Sequence, residues 1–255
     1  MSGEHGHHEL FLDHDTPIHR LPPQCKIAAV VVFVVAVVAA PRGTWWPYAV
    51  YALGLATVAA IGRVPAPTVL RRMVIELPFV LFAVILPFAS TGPRIDLLGI
   101  PVSETGLESA GILLAKGTLG VVASILLAAT THPRDLLRGL ERLHLPQLLV
   151  QIMTFMFRYV EVVMGEMGRM RVARESRCFR ARHVGQMKVV AHSAGALFIR
   201  TYERGERVHL AMLARGYTGR LPVLHNVAAS RRHWVMAAGL PALAIATTAS
   251  AWLSA

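Results

Sequence analysis

Histidine crowds the start of the chain, at His5, His7, His8, His14 and His19, with Asp13 and Asp15 among them. Imidazole and carboxylate groups at this density can bind a divalent metal ion. His5, His7 and His8 form the tightest group, and they are the metal-ligating candidates. A tail whose histidines hold no fixed site reads the same way, because no rigid ligand spacing joins them. Glu76 and Lys116 are ionisable side chains set inside long apolar runs. Such a group within a membrane span marks either a functional site or a pair that fixes helix packing. Cys25 and Cys178 stand alone with no CxxC, which excludes zinc-ribbon and thioredoxin-like chemistry. No GxxxxGK[ST] loop is present, so the chain does not bind ATP by that route. No catalytic set emerges. A membrane-embedded enzyme would have to work with Glu76, Lys116 and scattered hydroxyls.

The clearest patterned chemistry is a repeat. Residues 169–179 (RMRVARESRCF) and 207–217 (RVHLAMLARGY) share one order of residue types, 38 positions apart. Each runs Arg, apolar, basic or His, apolar, Ala, two variable positions, small, Arg, small, aromatic. The small–Arg–small cores are Ser176-Arg177-Cys178 and Ala214-Arg215-Gly216. Each core falls where a long helix is expected to end. Gly216 suits the position just past a helix end, which needs φ > 0, and Cys178 suits it less well. An Arg there can simply complement the negative end of the helix dipole. Its planar fork can also hold a carboxylate or the carbonyls of another helix end, and small neighbours allow close approach. Two equal arms fit a partner with two equal grooves, such as a two-fold dimer. Seven of the ten methionines lie between Met153 and Met212. That concentration suits either a surface that repacks or plain core filling.

The elements that carry these groups follow from composition. Hydrophobic residues make up 54% of the 255 residues and charged residues only 16%, yet the net charge is +11. An ordinary soluble domain carries about 25% charged residues. The charge is segregated: residues 132–232 hold 18 Lys/Arg against 7 Asp/Glu, so the rest of the chain nets zero. Apolar runs at 27–40, 45–61, 73–91, 106–131 and 234–253 predict about five transmembrane helices, since a span needs roughly 17–25 residues. The run 27–40 is short, with Lys26 and Arg42 placed to snorkel. Pro78 and Pro87 interrupt the third run. Residues 147–164 are apolar as well, but Arg158 and Glu161 would lie deep in lipid. A long amphipathic helix beside the membrane is therefore expected there, about 45 Å long from Pro146 to near Arg177.

The fold class expected is an all-α integral membrane protein with a water-facing domain of long amphipathic helices. Its parts are a His-rich segment 1–26, a four-helix membrane region 27–131, a helical segment 132–232 and a last span 233–255. The polar N-terminus does not read as a cleaved signal. Basic residues concentrate in the 62–72 loop and in 132–232, whereas 92–105 is not basic. The positive-inside rule then puts the N-terminus and the long basic segment in the cytoplasm, in a multi-pass protein of the cell's inner membrane. The basic helices carry few aromatics and many apolar residues. The anionic leaflet of the bilayer is therefore their expected neighbour, and no nucleic acid is expected.

These residues resemble a known family, the transmembrane T component of energy-coupling factor transporters, closest to its CbiQ-like cobalt/nickel branch. The resemblance is carried by 18–26 (IHRLPPQCK), 130–146 (TTHPRDLLRGLERLHLP), Arg158-Tyr159-Val160-Glu161 and Ala214-Arg215-Gly216. The first Arg motif keeps only its Arg177, between Ser176 and Cys178. The resemblance implies a non-catalytic scaffold with no cofactor of its own, ATP being bound by partner subunits. It implies two ABC-type ATPase subunits held through Arg177 and Arg215, and a small substrate-capturing S component in the membrane. The cargo it implies is cobalt or nickel, with a vitamin such as biotin as the alternative.

Overall fold

The structure is a computed structural model that describes residues 12, 15–41, 43–90, 93–97, 100–179, 187–219 and 229–254. The elements in chain order are α1 (Pro23–Ala39), α2 (Trp46–Ile61), α3 (Ala66–Arg72), a 3-10 turn (Met73–Glu76), α4 (Leu77–Ala89), β1 (Arg94–Leu97), β2 (Ile100–Ser103), α5 (Glu104–Thr130), α6 (Pro133–Arg142), α7 (Gln147–Glu175), α8 (Met187–Ala214) and α9 (Arg231–Ser254). The chain forms two compact units, one of residues 1–143 with 227–255, the other of residues 144–226.

In the first unit α1, α2, α5 and α9 close around one core. Phe33, Tyr51, Leu55, Ala123, Ala129 and Ala244 are buried in it. Polar side chains bind the helices together. The hydroxyls of Tyr51 and Thr248 lie 2.8 Å apart, and Thr248 Oγ1 also donates to the Ala36 carbonyl at 3.1 Å. Such bonds are characteristic of helices packed in lipid, where no hydrophobic force drives helix to helix. The outward faces stay apolar: Val35, Leu53, Leu81, Phe88 and Val235 are all more than half exposed. So wide an apolar surface suits a bilayer and would aggregate in water. The protein is a membrane protein, and among the described residues its architecture is all-α apart from one antiparallel hairpin.

Three findings refine the expected spans. The third run does not form one bent helix. Pro78 lies in the first turn of α4, where its missing N–H costs nothing, so residues 66–76 fold separately as α3 and the 3-10 turn. The segment expected to loop between the third and fourth spans pairs instead, with Arg94 opposite Ser103 and Ile95 opposite Val102. By length and composition, α5, α7 and α9 are the described helices able to cross a membrane, while α1 and α2 are apolar but shorter. Arg158 and Glu161 interrupt the apolar run of α7, and both are exposed.

Lys26 was expected to snorkel outward and does not. It is only 7% exposed, and its Nζ donates to the Thr130 carbonyl (2.8 Å), Thr131 Oγ1 (3.2 Å) and the His19 carbonyl (3.3 Å). An ammonium at the end of α5 satisfies a carbonyl left open there and complements the helix dipole. Next to it α6 docks on the start of α1. A Cβ placed on Gly139 would stand 2.8 Å from Ile27 Cδ1 and 3.0 Å from the backbone of Gln24 and Pro23. This packing draws α6 into the first unit, whose edge lies at Leu143.

Candidate functional site: two matched helix ends

The second unit consists mainly of α7 and α8, of 29 and 28 residues, each ending in one of the small–Arg–small cores. At the end of α7, Phe179 N–H donates to the Arg174 carbonyl at 3.1 Å and Cys178 N–H to the Glu175 carbonyl at 3.0 Å. At the end of α8, Tyr217 N–H donates to the Met212 carbonyl and Gly216 N–H to the Leu213 carbonyl, both at 3.0 Å. Arg177 N–H reaches the Arg174 carbonyl at 3.1 Å, and Arg215 N–H reaches the Met212 carbonyl at 3.0 Å. This crossed pair of bonds is a Schellman cap. The residue that turns the chain is left-handed in both, with φ +59 at Cys178 and +81 at Gly216. The repeat in sequence is therefore a repeat in hydrogen bonding, bond for bond.

Cys178 makes the left-handed turn although nothing in its residue type demands it. At Gly216 an added Cβ would meet nothing within 4 Å, so the glycine serves the backbone turn and leaves open space beside Arg215. Ser176, Arg177, Cys178, Ala214, Arg215 and Gly216 are all exposed. Among the described residues neither guanidinium is held in an ion pair. Two charged forks thus project from equivalent positions, each flanked by side chains too small to block a close approach.

α7 and α8 meet at two places. Glu166 on α7 accepts from Arg200 on α8 at 2.7 Å and from Arg169 on its own helix at 2.5 Å. These two guanidinium hydrogen bonds hold the Glu166 carboxyl below the ordinary carboxylate range. Nearer the start of α7, Gln151 Oε1 accepts from the Tyr217 hydroxyl at 2.8 Å and Gln151 Nε2 donates to the Gly219 carbonyl at 2.6 Å. Moving along α7 from Gln151 to Glu166 means moving back along α8 from its end to Arg200. The helices therefore run in opposite senses between these ties. A cavity of about 550 Å³ lies between them, lined by Phe155, Tyr159, Val162, Glu166, Arg200 and Arg204. The two Arg cores are legible in the sequence but neither tie is: Gln151 is one polar residue within an apolar run and carries no signal of its own.

Glu76 and Lys116 are not hydrogen-bonded to each other. Glu76 is buried and accepts from Thr118 Oγ1, which joins the 3-10 turn to α5. Lys116 Nζ donates to the carbonyls of Val38 (2.7 Å) and Ala40 (3.0 Å), at the end of α1. Both join helices to one another. His5, His7 and His8 lie outside the described residues, as do His14 and Asp13. His19 Nδ1 lies 2.7 Å from Thr16 Oγ1, and Asp15 is ion-paired with Arg20.

Residues 14–225, which include both helix ends, match the CbiQ family of cobalt transport proteins. The chain belongs to that family. Among its relatives is an energy-coupling factor transporter transmembrane protein EcfT of Thermanaerovibrio acidaminovorans, 30% identical over 80% of this chain and 80% of the relative. The cobalt transport protein CbiQ of Rhodobacter capsulatus is 28% identical over 54% of this chain and 59% of that protein. An uncharacterized protein of Methanocaldococcus jannaschii is 34% identical over 52% of this chain, and the match spans about half of that relative's length, 51%. The EcfT and CbiQ relatives are described as transport proteins, and this CbiQ-family chain is a membrane protein.

Proposed function

We propose that the chain is the transmembrane scaffold of an ATP-driven energy-coupling factor transporter that takes up cobalt or nickel. In this reading Arg177 and Arg215 each anchor one ABC-type ATPase subunit, and the membrane unit holds a substrate-capturing S component. ATPase closure moves the two anchored helix ends, and the motion passes through α7 and α8 to the S component. The chain itself needs no cofactor and no catalytic residue. The observation that carries the proposal is the bond-for-bond match of the two caps, each presenting an exposed Arg between small residues. A two-fold ATPase dimer offers two equal grooves to such arms. The family's cobalt description supports the cargo. The proposed orientation in the cell's inner membrane, N-terminus inside, follows from the basic charge of 132–232.

The test is co-purification of the chain with candidate ABC-type ATPases, repeated with Arg177→Ala and Arg215→Ala combined. Loss of the ATPases with the membrane unit still folded is the expected result. Retention at full strength refutes the anchor roles. Uptake of radioactive cobalt against biotin, with and without the S component, assigns the cargo.

A further inference from the structure

The two caps match in their backbone, and the aromatic residues that follow their left-handed turns differ by one oxygen. The residue after the left-handed turn is Phe179 in the first and Tyr217 in the second. The Tyr217 hydroxyl donates to Gln151 Oε1, while Gln151 Nε2 donates to the Gly219 carbonyl. One amide, only 9% exposed, thus holds the side chain just after Arg215 and the backbone two residues further on. Buried amides with both ends bonded have one orientation only, and removing a partner leaves a polar atom unsatisfied. Phe179 has no hydroxyl to make the corresponding bond. Arg177 also lies at the far end of α7 from Gln151, since α7 is 29 residues and therefore about 43 Å long.

We propose that Gln151 is a positioning residue that clasps the second Arg core to the start of α7. Arg215 is then the fixed anchor and Arg177 the mobile one. The inference rests on the anchor roles given above and adds an inequivalence to them. An ATPase pair that closes on these arms displaces the Arg177 end of α7 relative to a seat at Arg215. The symmetric motion of the ATPases becomes a directed motion of the scaffold.

Two experiments test it on the full chain. The first needs no ATPase. Spin labels at Leu148→Cys and Thr218→Cys, both exposed positions, are placed in a Cys178→Ser background in which Cys25 stays buried. Dipolar broadening in continuous-wave electron paramagnetic resonance, suited to labels this close, is expected to give a narrow distance distribution that broadens in Tyr217→Phe and in Gln151→Leu. Gln151→Glu keeps an acceptor for Tyr217 and is expected to retain most of the narrow component. An unchanged distribution in Tyr217→Phe, a substitution mild enough to leave the fold intact, overturns the clasp whether or not ATPases bind at these arginines.

The second measures ATPase retention on the tagged chain. With Arg177→Ala, where Arg215 alone holds the partner, Tyr217→Phe is expected to lower retention about fivefold. With Arg215→Ala it is expected to change nothing. Equal loss in both backgrounds would mean general destabilisation and overturns the positioning role, as does no loss in either. Full retention by the double Arg variant would instead refute the anchors themselves, and the distance measurement still decides the clasp.

Discussion

Exchanging glycine between the two caps separates backbone strain from packing. Gly216→Ala places a side chain at φ +81, and the added Cβ meets nothing within 4 Å. Its cost is therefore conformational. A left-handed non-glycine residue costs roughly 1–2 kcal/mol, and Ala returns roughly 0.5–1 kcal/mol by restricting the unfolded chain. The net loss is about 1 kcal/mol. Cys178→Gly reverses the exchange at φ +59 and should stabilise the first cap by about the same amount. The two ends are separate, so the double variant should return close to wild type. Hydrogen exchange reads each cap through its own reporter amide, Phe179 N–H for the first and Tyr217 N–H for the second. Protection at Tyr217 should fall about fivefold in Gly216→Ala, and protection at Phe179 should rise by a similar factor in Cys178→Gly. A fall at Phe179 in Cys178→Gly would refute the reasoning, because the cysteine would then contribute something other than a strained turn.

Three other perturbations follow from named contacts. Lys26→Met removes a donor shared by three oxygens and leaves the Thr130 carbonyl unsatisfied, which should cost about 1–3 kcal/mol in the detergent-solubilised protein's thermal unfolding. Gly139→Ala forces α6 off the start of α1 at a cost of about 1–3 kcal/mol. Thiol labelling should then reach the buried Cys25, with the exposed Cys178 as internal reference. Acid should release Arg200 from Glu166. The carboxyl is depressed in the folded protein, so its contribution is present above the ordinary carboxylate pKa and is lost as pH falls through the lowered value. Distances measured between labels on α7 and α8 should therefore broaden in acid, and Glu166→Gln should show the broad form at every pH.

The residues that announce themselves in the sequence are those whose chemistry is local. Gly216 marks a helix end because only glycine turns left-handed cheaply, and the two Arg cores repeat as letters before they repeat as hydrogen bonds. The apolar runs predict helices because lipid leaves the backbone no other partners. Contacts between distant segments leave no such trace. Cys178 occupies a glycine's conformation because the Schellman bonds and the rest of the helix end hold it there. Lys26 next to an apolar run reads as a snorkelling cation, and only the arrival of Thr130 turns it inward. The third run reads as one bent span because hydropathy ignores that Pro78 is far better placed in a first turn than in a helix interior. Gln151 and Tyr217 are ordinary letters until the antiparallel pairing of α7 and α8 brings them together.

The first unit is discontinuous, and its last piece is the one that bonds it shut. Thr248, on α9, bridges Tyr51 of α2 and the Ala36 carbonyl of α1, while Trp252 donates to the Ala39 carbonyl. On the ribosome, the whole of 144–226 is made before α9 exists. A chain interrupted anywhere in that stretch carries a bundle in which the Ala36 and Ala39 carbonyls of α1 still lack these donors. Closure of the bundle is thus a late act of synthesis: until α9 is made, α1 and α2 are not tied to each other through Thr248.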